Sequence, residues 1–427
     1  MSDVNTQSVD ELLEDYATTP VPQNKTVGGV RIGMINGALA FSVPGLITGL
    51  EIGHSIGLEQ GSFAFLLGGL ILSVLATITG LVGMHNRLTA CMTMKFVFGT
   101  AGANILSFAF VLSLLGWYGV NIDLFSSVTQ ELWQQLFDYS PQIWLLEITA
   151  GVLITLTTIW GFKLLEKIST LFIPLLFLVV AYMLYQSLGY QSGELVTEVD
   201  ASFSFGEAVS AVVGSFIVSV VLMPDFTRFS ASKKDTAAAS FLPFFLLSTF
   251  VYLASAMAGL AVGERDVLVV MLTLGLGSFA FFLLIVSSWT TNVINLYSAS
   301  LGLNAINPKM KEWQIIIFAG VLGTIIASFN LLDSFTDFLF SLSIIFTPVA
   351  AIYVVDFFLI RSKQVYDVND IANLETLNWY AVIAWLVGVC ASMLVNYGFF
   401  TITTIEVCDA VMVSSFVYYF LMKLKTK

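Results

Sequence analysis

The sequence predicts an all-α membrane protein with twelve transmembrane helices, in which two sets of five helices are inverted relative to each other. Three observations carry this prediction: the composition, the placement of the basic residues, and interruptions in the first and sixth predicted helices. Hydrophobic residues make up 57% and charged residues 11% of the 427 residues, and the mean hydropathy is +0.89. Soluble chains of this length are much more polar, so the composition indicates a polytopic protein of the lipid bilayer.

Composition also excludes several classes of protein. The net charge of −12 and a pI near 4.5 argue against nucleic acid as a partner, because phosphate binding needs clustered basic residues. Three cysteines, Cys91, Cys390 and Cys408, have no metal-ligand spacing and are odd in number, which argues against a disulfide framework and a zinc site. Nothing in the sequence indicates an obligate protein partner.

Apolar runs of roughly 18 to 25 residues, separated by proline, glycine and charge clusters, define the predicted spans. The acidic, polar residues 1–27 hold no apolar core and predict a cytoplasmic tail without a cleaved signal peptide. Residues 423–427 form a short carboxyl-terminal tail. We number the predicted spans one to twelve, at residues 28–55, 62–85, 101–130, 142–161, 163–187, 205–230, 237–262, 267–300, 312–329, 332–360, 378–397 and 400–422.

The basic residues test this count, since cytoplasmic loops are enriched in lysine and arginine. With the amino terminus inside, 16 of the 17 basic residues fall on the cytoplasmic side and only Arg265 falls outside. Omitting any one span would place every later loop on the opposite side of the membrane. The basic residues would then be divided between both sides. The sequence therefore predicts that both termini are cytoplasmic.

Span one is interrupted midway by Ser42-Val43-Pro44-Gly45. Proline removes a backbone donor and glycine tolerates an irregular backbone, although a simple proline kink would give the same pattern in this span alone. Span six carries Val213-Gly214-Ser215-Phe216 near its middle and Pro224-Asp225 further on. We therefore expect interruptions in both spans.

The two interrupted spans lie five apart, and because five is odd, the second set of five spans is inverted relative to the first. This predicts one repeat at residues 28–187 and a second at 205–360, with residues 378–422 outside both. Paired broken helices in inverted halves are typical of transporters whose binding site lies at mid-membrane. Carbonyls freed at the break in span one can coordinate a cation.

A polar cluster in span eight is expected to form the third wall of that site. Ser287, Thr290, Thr291 and Asn295 follow the spacing i, i+3, i+4, i+8, which puts their oxygens on one helical face. Such groups are costly in hydrocarbon without a partner, so they usually face protein or a bound molecule.

The ordered motifs resemble those of nucleobase:cation symporters of the purine/cytosine permease family, and most closely its bacterial cytosine permease branch. The resemblance implies a LeuT-like fold of five plus five inverted helices in the bacterial inner membrane. It also implies uptake of a planar heterocycle coupled to an ion, usually sodium, with no other cofactor. The motifs are Gly116-Trp117-Tyr118-Gly119, Val213-Gly214-Ser215-Phe216, Pro224-Asp225-Phe226-Thr227-Arg228-Phe229, Trp289-Thr290-Thr291-Asn292 with Leu296-Tyr297, and Leu377-Asn378-Trp379.

Carried over by position, the resemblance implies a sodium site and a substrate site. Hydroxyl and carbonyl oxygens suit sodium, a hard cation, without any carboxylate. An aromatic face and neighbouring polar groups suit a flat ring and its edge. The implied sodium ligands are the backbone carbonyls of Gly37 and Phe41 with Ser287, Thr290 and Thr291; the implied substrate contacts are Trp117, Ser215, Phe216 and Asn292.

Three departures from the family pattern bear on the substrate. Leu114 stands where cytosine permeases usually carry glutamine, and Val218 stands where a serine is usual, with Ser219 next to it. Val293-Ile294 replaces an Asp-Asn pair, with Asn295 one position later. Asn121, four residues after Trp117, shares its helical face and is a candidate replacement for the missing glutamine. These changes predict altered recognition of the heterocycle's edge.

Two carboxylates leave proton coupling open. Glu51, in the outer part of span one, and Asp123, six residues after Trp117, either line an outer vestibule and bind protons or lie at solvated helix ends. The alternative function is accordingly a proton-coupled permease for another heterocycle, such as allantoin, hydantoin, a purine or a thiamine-precursor pyrimidine.

Other classes fit less well. A channel needs polar residues along several helices, whereas here they concentrate at one depth. A membrane enzyme needs a catalytic set that the two distant histidines do not supply. A major-facilitator transporter has two halves of six spans.

Overall fold

The computed structural model describes residues 16–190, 200–329 and 335–425. Within these ranges the chain is helical, with one isolated β-bridge between Val27 and Ser230, and nine helices are long and apolar enough to cross a membrane. The helical segments are Gly29–Ala40, Val43–Asn86, Ala90–Phe137, Ile143–Thr158, Gly161–Gly189, Phe205–Val221, Pro224–Thr227, Lys233–Phe241, Leu242–Leu247 (π), Ser248–Val262, Val267–Thr273, Ser278–Ile306, Glu312–Ala327, Phe335–Val355, Asp356–Ile360 (π), Val368–Asn373 (3₁₀), Trp379–Asn396 and Glu406–Lys425.

Each of the twelve predicted spans overlaps at least one of these helices, and the all-helical architecture is confirmed; span eight is divided into Val267–Thr273 and Ser278–Ile306. Predicted spans four and nine correspond to the apolar helices Ile143–Thr158 and Glu312–Ala327, which have 16 residues each and are not among those nine. The count of twelve spans and the inverted repeat stay predictions. Residues 1–15 of the amino-terminal tail and residues 426–427 lie outside the described residues.

Two glycines correct the predicted boundaries. Gly57 has φ 77°, and there the 44-residue segment Val43–Asn86 changes from the outer half of span one to span two. Gly99 has φ 81° and separates a short amino-terminal helix from span three, which continues to Phe137. Only glycine adopts this backbone conformation without strain, so each position allows a sharp turn between helices without a long loop.

The interruption of span one falls at Phe41 and Ser42. Ser42 is extended, with φ −65° and ψ 153°, and its hydroxyl accepts a bond of 3.4 Å from the backbone N–H of Gly45. Pro44 has no N–H to continue the ladder, so the outer half-helix begins afresh with Ser42 as its cap. The predicted break in span one is therefore present.

The interruption of span six lies at Leu222 and Met223, after the motif that contains Gly214. The helix runs unbroken through Gly214, where a Cβ atom would lie 2.7 Å from the carbonyl oxygen of Leu339, so this glycine permits close packing of span ten. Pro224 has no backbone N–H, so it cannot donate the regular helical hydrogen bond to the Val220 carbonyl.

Side chains of other spans satisfy the carbonyls at this interruption. The Thr79 hydroxyl donates to the Val220 carbonyl at 2.8 Å, and the Tyr353 hydroxyl donates to the Val221 carbonyl at 2.9 Å. Spans two and ten therefore hold span six at its break.

A buried carboxylate ties span ten to span twelve at their predicted cytoplasmic ends. Asp356 is 1% exposed, and it accepts hydrogen bonds from Arg361 Nε at 2.9 Å, Tyr366 Oη at 3.0 Å and Tyr418 Oη at 2.7 Å. We expect Asp356→Ala to lower the free energy of unfolding by about 3 kcal/mol, because a partly exposed arginine and two buried tyrosine hydroxyls lose their acceptor. Unfolding of the purified protein in mixed SDS micelles measures this change.

The matched control is an exposed ion pair near the same end of the molecule. Lys425 Nζ lies 2.7 Å from Glu375 Oε1, and these side chains are 34% and 60% exposed. Lys425→Ala should change the free energy of unfolding by less than about 1 kcal/mol. Equal losses in the two variants would contradict the assignment of Asp356 as a buried brace.

Candidate binding chamber

A small cavity lies where the interruption of span one meets spans three, six and eight. Its volume is about 30 Å³ in this conformation, room for about two water molecules. The lining side chains must therefore separate before a heterocycle can enter. The cavity, called the chamber below, is lined by Leu39, Ser42, Pro44, Gly45, Leu114, Trp117, Asn121, Ser215, Phe216, Val218, Ser219, Thr291 and Asn295.

The structure brings most of the sequence-predicted substrate residues together in this chamber. They come from three spans that are far apart in the sequence, and their role as substrate contacts stays a prediction. The predicted residues in the lining are Leu114, Trp117, Asn121, Ser215, Phe216, Ser219 and Asn295.

Asn292 is the predicted substrate residue that does not line the chamber. Its amide nitrogen donates to the Tyr118 carbonyl at 3.0 Å and so joins span eight to span three. Its side-chain oxygen accepts a long bond of 3.4 Å from the amide of Asn295. Asn292 therefore positions Asn295, which does reach the chamber.

Two aromatic side chains form apolar walls of the chamber. Trp117 is 8% exposed and meets the ring of Phe338 at 5.2 Å in an edge-on arrangement. Phe216, from span six, is 5% exposed and lies 6.3 Å from the ring of Tyr252. Such rings provide a large flat contact area with few rotatable bonds.

Polar groups stand beside these walls. The amide nitrogen of Asn121 donates to the Trp117 carbonyl at 2.8 Å, while its buried side-chain oxygen has no hydrogen-bond partner within the described chain. The hydroxyls of Ser215 and Tyr252 are 2.7 Å apart. The chamber thus combines ring faces with a free acceptor and a hydroxyl pair, which suits a planar ligand with polar edges.

Oxygen atoms of spans one and eight converge beside the chamber. The Ser42 N–H bonds to the Leu39 carbonyl, so it does not serve the Ala38 carbonyl as it would in a regular helix. Instead the Thr291 hydroxyl lies 3.5 Å from the Ala38 oxygen. The Thr290 hydroxyl is 3.1 Å from the Ser287 carbonyl.

The other implied sodium ligands occupy nearby positions. Phe41 lies at the break itself, and the Ser287 hydroxyl donates within its own helix to Leu284 at 3.2 Å. A Cβ atom on Gly37 would point to Leu247 and Ile173, in spans seven and five. The Ala38 carbonyl, which the Thr291 hydroxyl approaches, neighbours the predicted ligand Gly37, and the roles of Gly37 and Phe41 as sodium ligands stay predictions.

Sequence reasoning did not assign several lining residues to the chamber. Ser42, Pro44 and Gly45 were identified only as the interruption, although an interruption at mid-membrane is itself a signal for lining residues. Val218 was noted only as a departure from the family pattern, and Leu39 carries no polar group that would single it out in the sequence.

The two carboxylates proposed for the vestibule lie outside the chamber lining. Glu51 pairs with Arg265 at 3.0 Å, and Arg265 also contacts Asp200. Asp123 is half-buried in span three. Arg265, just before span eight, therefore joins the outer end of span one to the loop before span six.

This outer cluster should be insensitive to pH in the physiological range. The hydrogen bond from Arg265 lowers the pKa of Asp200 to about 2. A depressed pKa in the folded protein stabilises it above the unfolded pKa of about 3.9, and this contribution is lost as the pH falls through the folded value. The difference in melting temperature between wild type and Asp200→Asn should stay constant from about pH 8 to 5 and shrink only below about pH 4.

The Arg265→Gln background provides the control for that series. Without the guanidinium, Asp200→Asn should have little effect at any pH. A wild-type difference that already changes between about pH 8 and 6 would show that Asp200 is not held ionised by Arg265.

Asp225 and Arg228 brace the predicted cytoplasmic side of span six. Asp225 accepts a bond of 2.8 Å from the backbone N–H of Ala90, at the start of the helix that leads into span three. Arg228 donates to the Tyr16 carbonyl at 2.6 Å and to the Tyr297 hydroxyl at 3.1 Å. Both residues thus join span six to other elements.

The fold and the chamber define a multi-pass membrane permease for small molecules. A family model described as a permease for cytosine/purines, uracil, thiamine and allantoin matches residues 20–421. The chain therefore belongs to this permease family and is not an enzyme. The family resemblance inferred from short motifs is confirmed.

Relatives and solved structures agree with this membership. The chain is similar to the cytosine permease of Escherichia coli, with 27% identity over 88% of each chain. It is also similar to the hydantoin permease of Microbacterium maritypicum, with 23% identity over 87% of this chain and 82% of the relative. The nucleobase-cation-symport-1 family transporter Mhp1, in a closed conformation with bromovinylhydantoin bound, has a TM-score of 0.86 at 19% identity, covering 97% and 96% of the two chains.

Proposed function

We propose that the protein takes up a planar nitrogen heterocycle of the nucleobase or hydantoin type together with sodium across the bacterial inner membrane. The observation that carries the proposal is Thr291. Its side chain lines the chamber with Trp117, and its hydroxyl lies 3.5 Å from the Ala38 carbonyl at the break in span one. We call the Ala38 and Ser287 carbonyls and the Thr290 and Thr291 hydroxyls the ion cluster. Thr291 would thus belong both to this cluster and to the chamber.

The donor atoms in the cluster fit sodium. Two oxygens 3.5 Å apart can both contact a hard cation whose metal–oxygen distance is about 2.4 Å. Ala38 and Ser287 would contribute carbonyl oxygens, and Thr290 and Thr291 would contribute hydroxyls. These are the ligand types that hard cations prefer over soft ones.

Alternating access follows from this shared wall. A cation that holds span one against span eight favours the conformation in which both interrupted helices border a complete chamber. Substrate binding in that chamber and sodium binding beside it then stabilise the same state, which couples the two fluxes.

Proton coupling has weaker support. Among the described residues, those that line the chamber include no carboxylate, and Glu51 is engaged with Arg265. A titrating group beside the substrate, which proton symport requires, therefore has no evident candidate.

Uptake into proteoliposomes tests the proposal. Labelled cytosine, uracil, hypoxanthine, allantoin and hydantoin are offered in turn, each with an inward gradient of sodium or of choline. We expect at least one compound to accumulate only with the sodium gradient. The other compounds should inhibit its uptake, and those with the most similar hydrogen-bonding groups on the ring edge should inhibit it most. Equal uptake in choline, with accumulation driven by a pH gradient alone, would favour the proton-coupled alternative.

A further inference from the structure

A buried amide beneath the chamber is left almost without hydrogen bonds. Asn36, in the inner half of span one, is 0% exposed, and its amide nitrogen faces the Met223 sulfur at 3.7 Å. Its side-chain oxygen has no hydrogen-bond partner among the described residues. A thioether is a weak acceptor, so the amide is nearly unpaired. Buried polar groups are usually paired, and an exception needs an explanation.

The position of this amide follows from helical spacing. Asn36 precedes Leu39 by three residues, and Met223 follows Ser219 by four; Leu39 and Ser219 both line the chamber. In span one this spacing is about one turn, about 5 Å, along one helical face, and in span six the step from Ser219 leads past the end of the helix at Val221 to its interruption. Span one and span six run in opposite predicted directions, so both steps lead toward the cytoplasm. Asn36 and Met223 therefore meet directly beneath the chamber.

Met223 is suited to be a movable cover. It lies at the interruption of span six, and its unbranched thioether has three rotatable bonds. Further inward, Arg228 and Tyr297 join spans six and eight. The amide nitrogen thus contacts a flexible side chain at the interruption of span six, about one turn below residues that line the chamber.

Other amides near the chamber differ from Asn36. Asn121 and Asn292 donate to backbone carbonyls at 2.8 and 3.0 Å, which fixes their orientation. Asn36 donates to no backbone carbonyl among the described residues, so its amide group does not stabilise this conformation through such a bond. Its carboxamide presents an acceptor and a donor side by side, which matches a ring N–H beside a ring carbonyl.

We propose that Asn36 is a second binding station for the transported heterocycle, reached from the chamber when the Met223 side chain moves aside. The station takes rings that carry an N–H next to a carbonyl, through two parallel hydrogen bonds. This inference rests on the proposed function and adds a step to it: the ligand leaves the chamber for Asn36 before it reaches the cytoplasm.

The variant Asn36→Leu removes both hydrogen-bonding groups and keeps the number and branching of the side-chain heavy atoms. Equilibrium binding and exchange across proteoliposomes are measured with labelled cytosine, or with uracil if only uracil is taken up. We expect the Kd to stay within about twofold of wild type while the exchange rate falls at least about tenfold, because only the passage inward loses its partner.

Ser73→Ala is the matched control. The Ser73 hydroxyl is also buried and has no hydrogen-bond partner in the described parts of the chain, but it lies in span two away from the chamber lining. Its removal should leave both binding and exchange unchanged. If Asn36→Leu does not yield folded protein, Met223→Phe replaces it, since a rigid ring over the amide should slow exchange without weakening binding.

Wild-type exchange establishes the proposed function before the variants are compared, and an inactive wild-type protein would overturn both proposals. Exchange by Asn36→Leu, or by Met223→Phe, within about twofold of wild type would overturn the second station alone. A Kd weakened at least about tenfold would do the same, since Asn36 would then belong to the chamber.

Discussion

Trp117→Ala is expected to weaken substrate binding by about 10- to 100-fold. Stacking of a heterocyclic base on an aromatic side chain contributes about 1–3 kcal/mol, and each 1.4 kcal/mol corresponds to about a tenfold change in Kd. Trp117 supplies a wall of the chamber and is held by the edge-on contact with Phe338. Equilibrium binding of the transported compound to purified protein measures the change.

Two variants control this experiment. Trp117→Phe keeps a ring face and should lose less than about fivefold in affinity. Trp144→Ala removes an indole that is 53% exposed, on span four away from the chamber, and should leave the Kd unchanged. Equal effects of Trp117→Ala and Trp144→Ala would rule out Trp117 as a stacking surface.

Thr290→Val is expected to abolish the stimulation of uptake by sodium. Thr290 is 2% exposed, and its hydroxyl lies 3.1 Å from the Ser287 carbonyl in the proposed ion cluster. Valine keeps the shape and removes the oxygen, so one ligand is lost. Coupling free energies of about 1–3 kcal/mol correspond to roughly 5- to 150-fold changes in affinity. Loss of the ligand should therefore remove a stimulation by sodium of this size. The ratio of initial uptake rates in sodium and in choline measures it.

The control for Thr290 lies on the same helix. Ser300 is buried and donates to the Tyr297 carbonyl at 2.7 Å, in the same kind of local bond, but it lies away from the cluster. Ser300→Ala should keep the sodium response, and Thr290→Ser should retain most of it. Full sodium stimulation in Thr290→Val would place the ion elsewhere.

The break in span one could be predicted from the local sequence alone. Its cause is a missing donor at Pro44, which acts on its own helix and is visible in the sequence. The same reasoning applied to span six was right about Pro224 and wrong about Gly214. Gly214 is needed for the close approach of Leu339, a residue of span ten, and no local pattern distinguishes that use of glycine from a break.

The chamber could be predicted where helical spacing and family resemblance agree. Trp117 with Asn121, and Thr291 with Asn295, each share a face that the sequence alone defines. The contact between Thr291 and the Ala38 carbonyl could not be predicted, because which carbonyl faces Thr291 depends on how the helix ends at Phe41. The partner of Glu51 was missed because Arg265 is 214 residues away in the sequence.

Asn36 shows what sequence reasoning overlooked although a signal was present. It is an isolated amide in an otherwise apolar stretch of span one, flanked by small and aliphatic residues. Polar residues within membrane helices are costly and are commonly functional. Only the contact with Met223 reveals that it lies under the chamber.

The sodium dependence of substrate affinity tests the central claim most directly. The Kd of the purified protein for the transported compound is measured by equilibrium binding without sodium and at about 100 mM sodium, with choline keeping the ionic strength constant. If the ion cluster and the chamber share Thr291, sodium should tighten binding at least about fivefold, and Thr291→Val should remove the difference. The same Kd at both sodium concentrations would contradict a common site for ion and heterocycle.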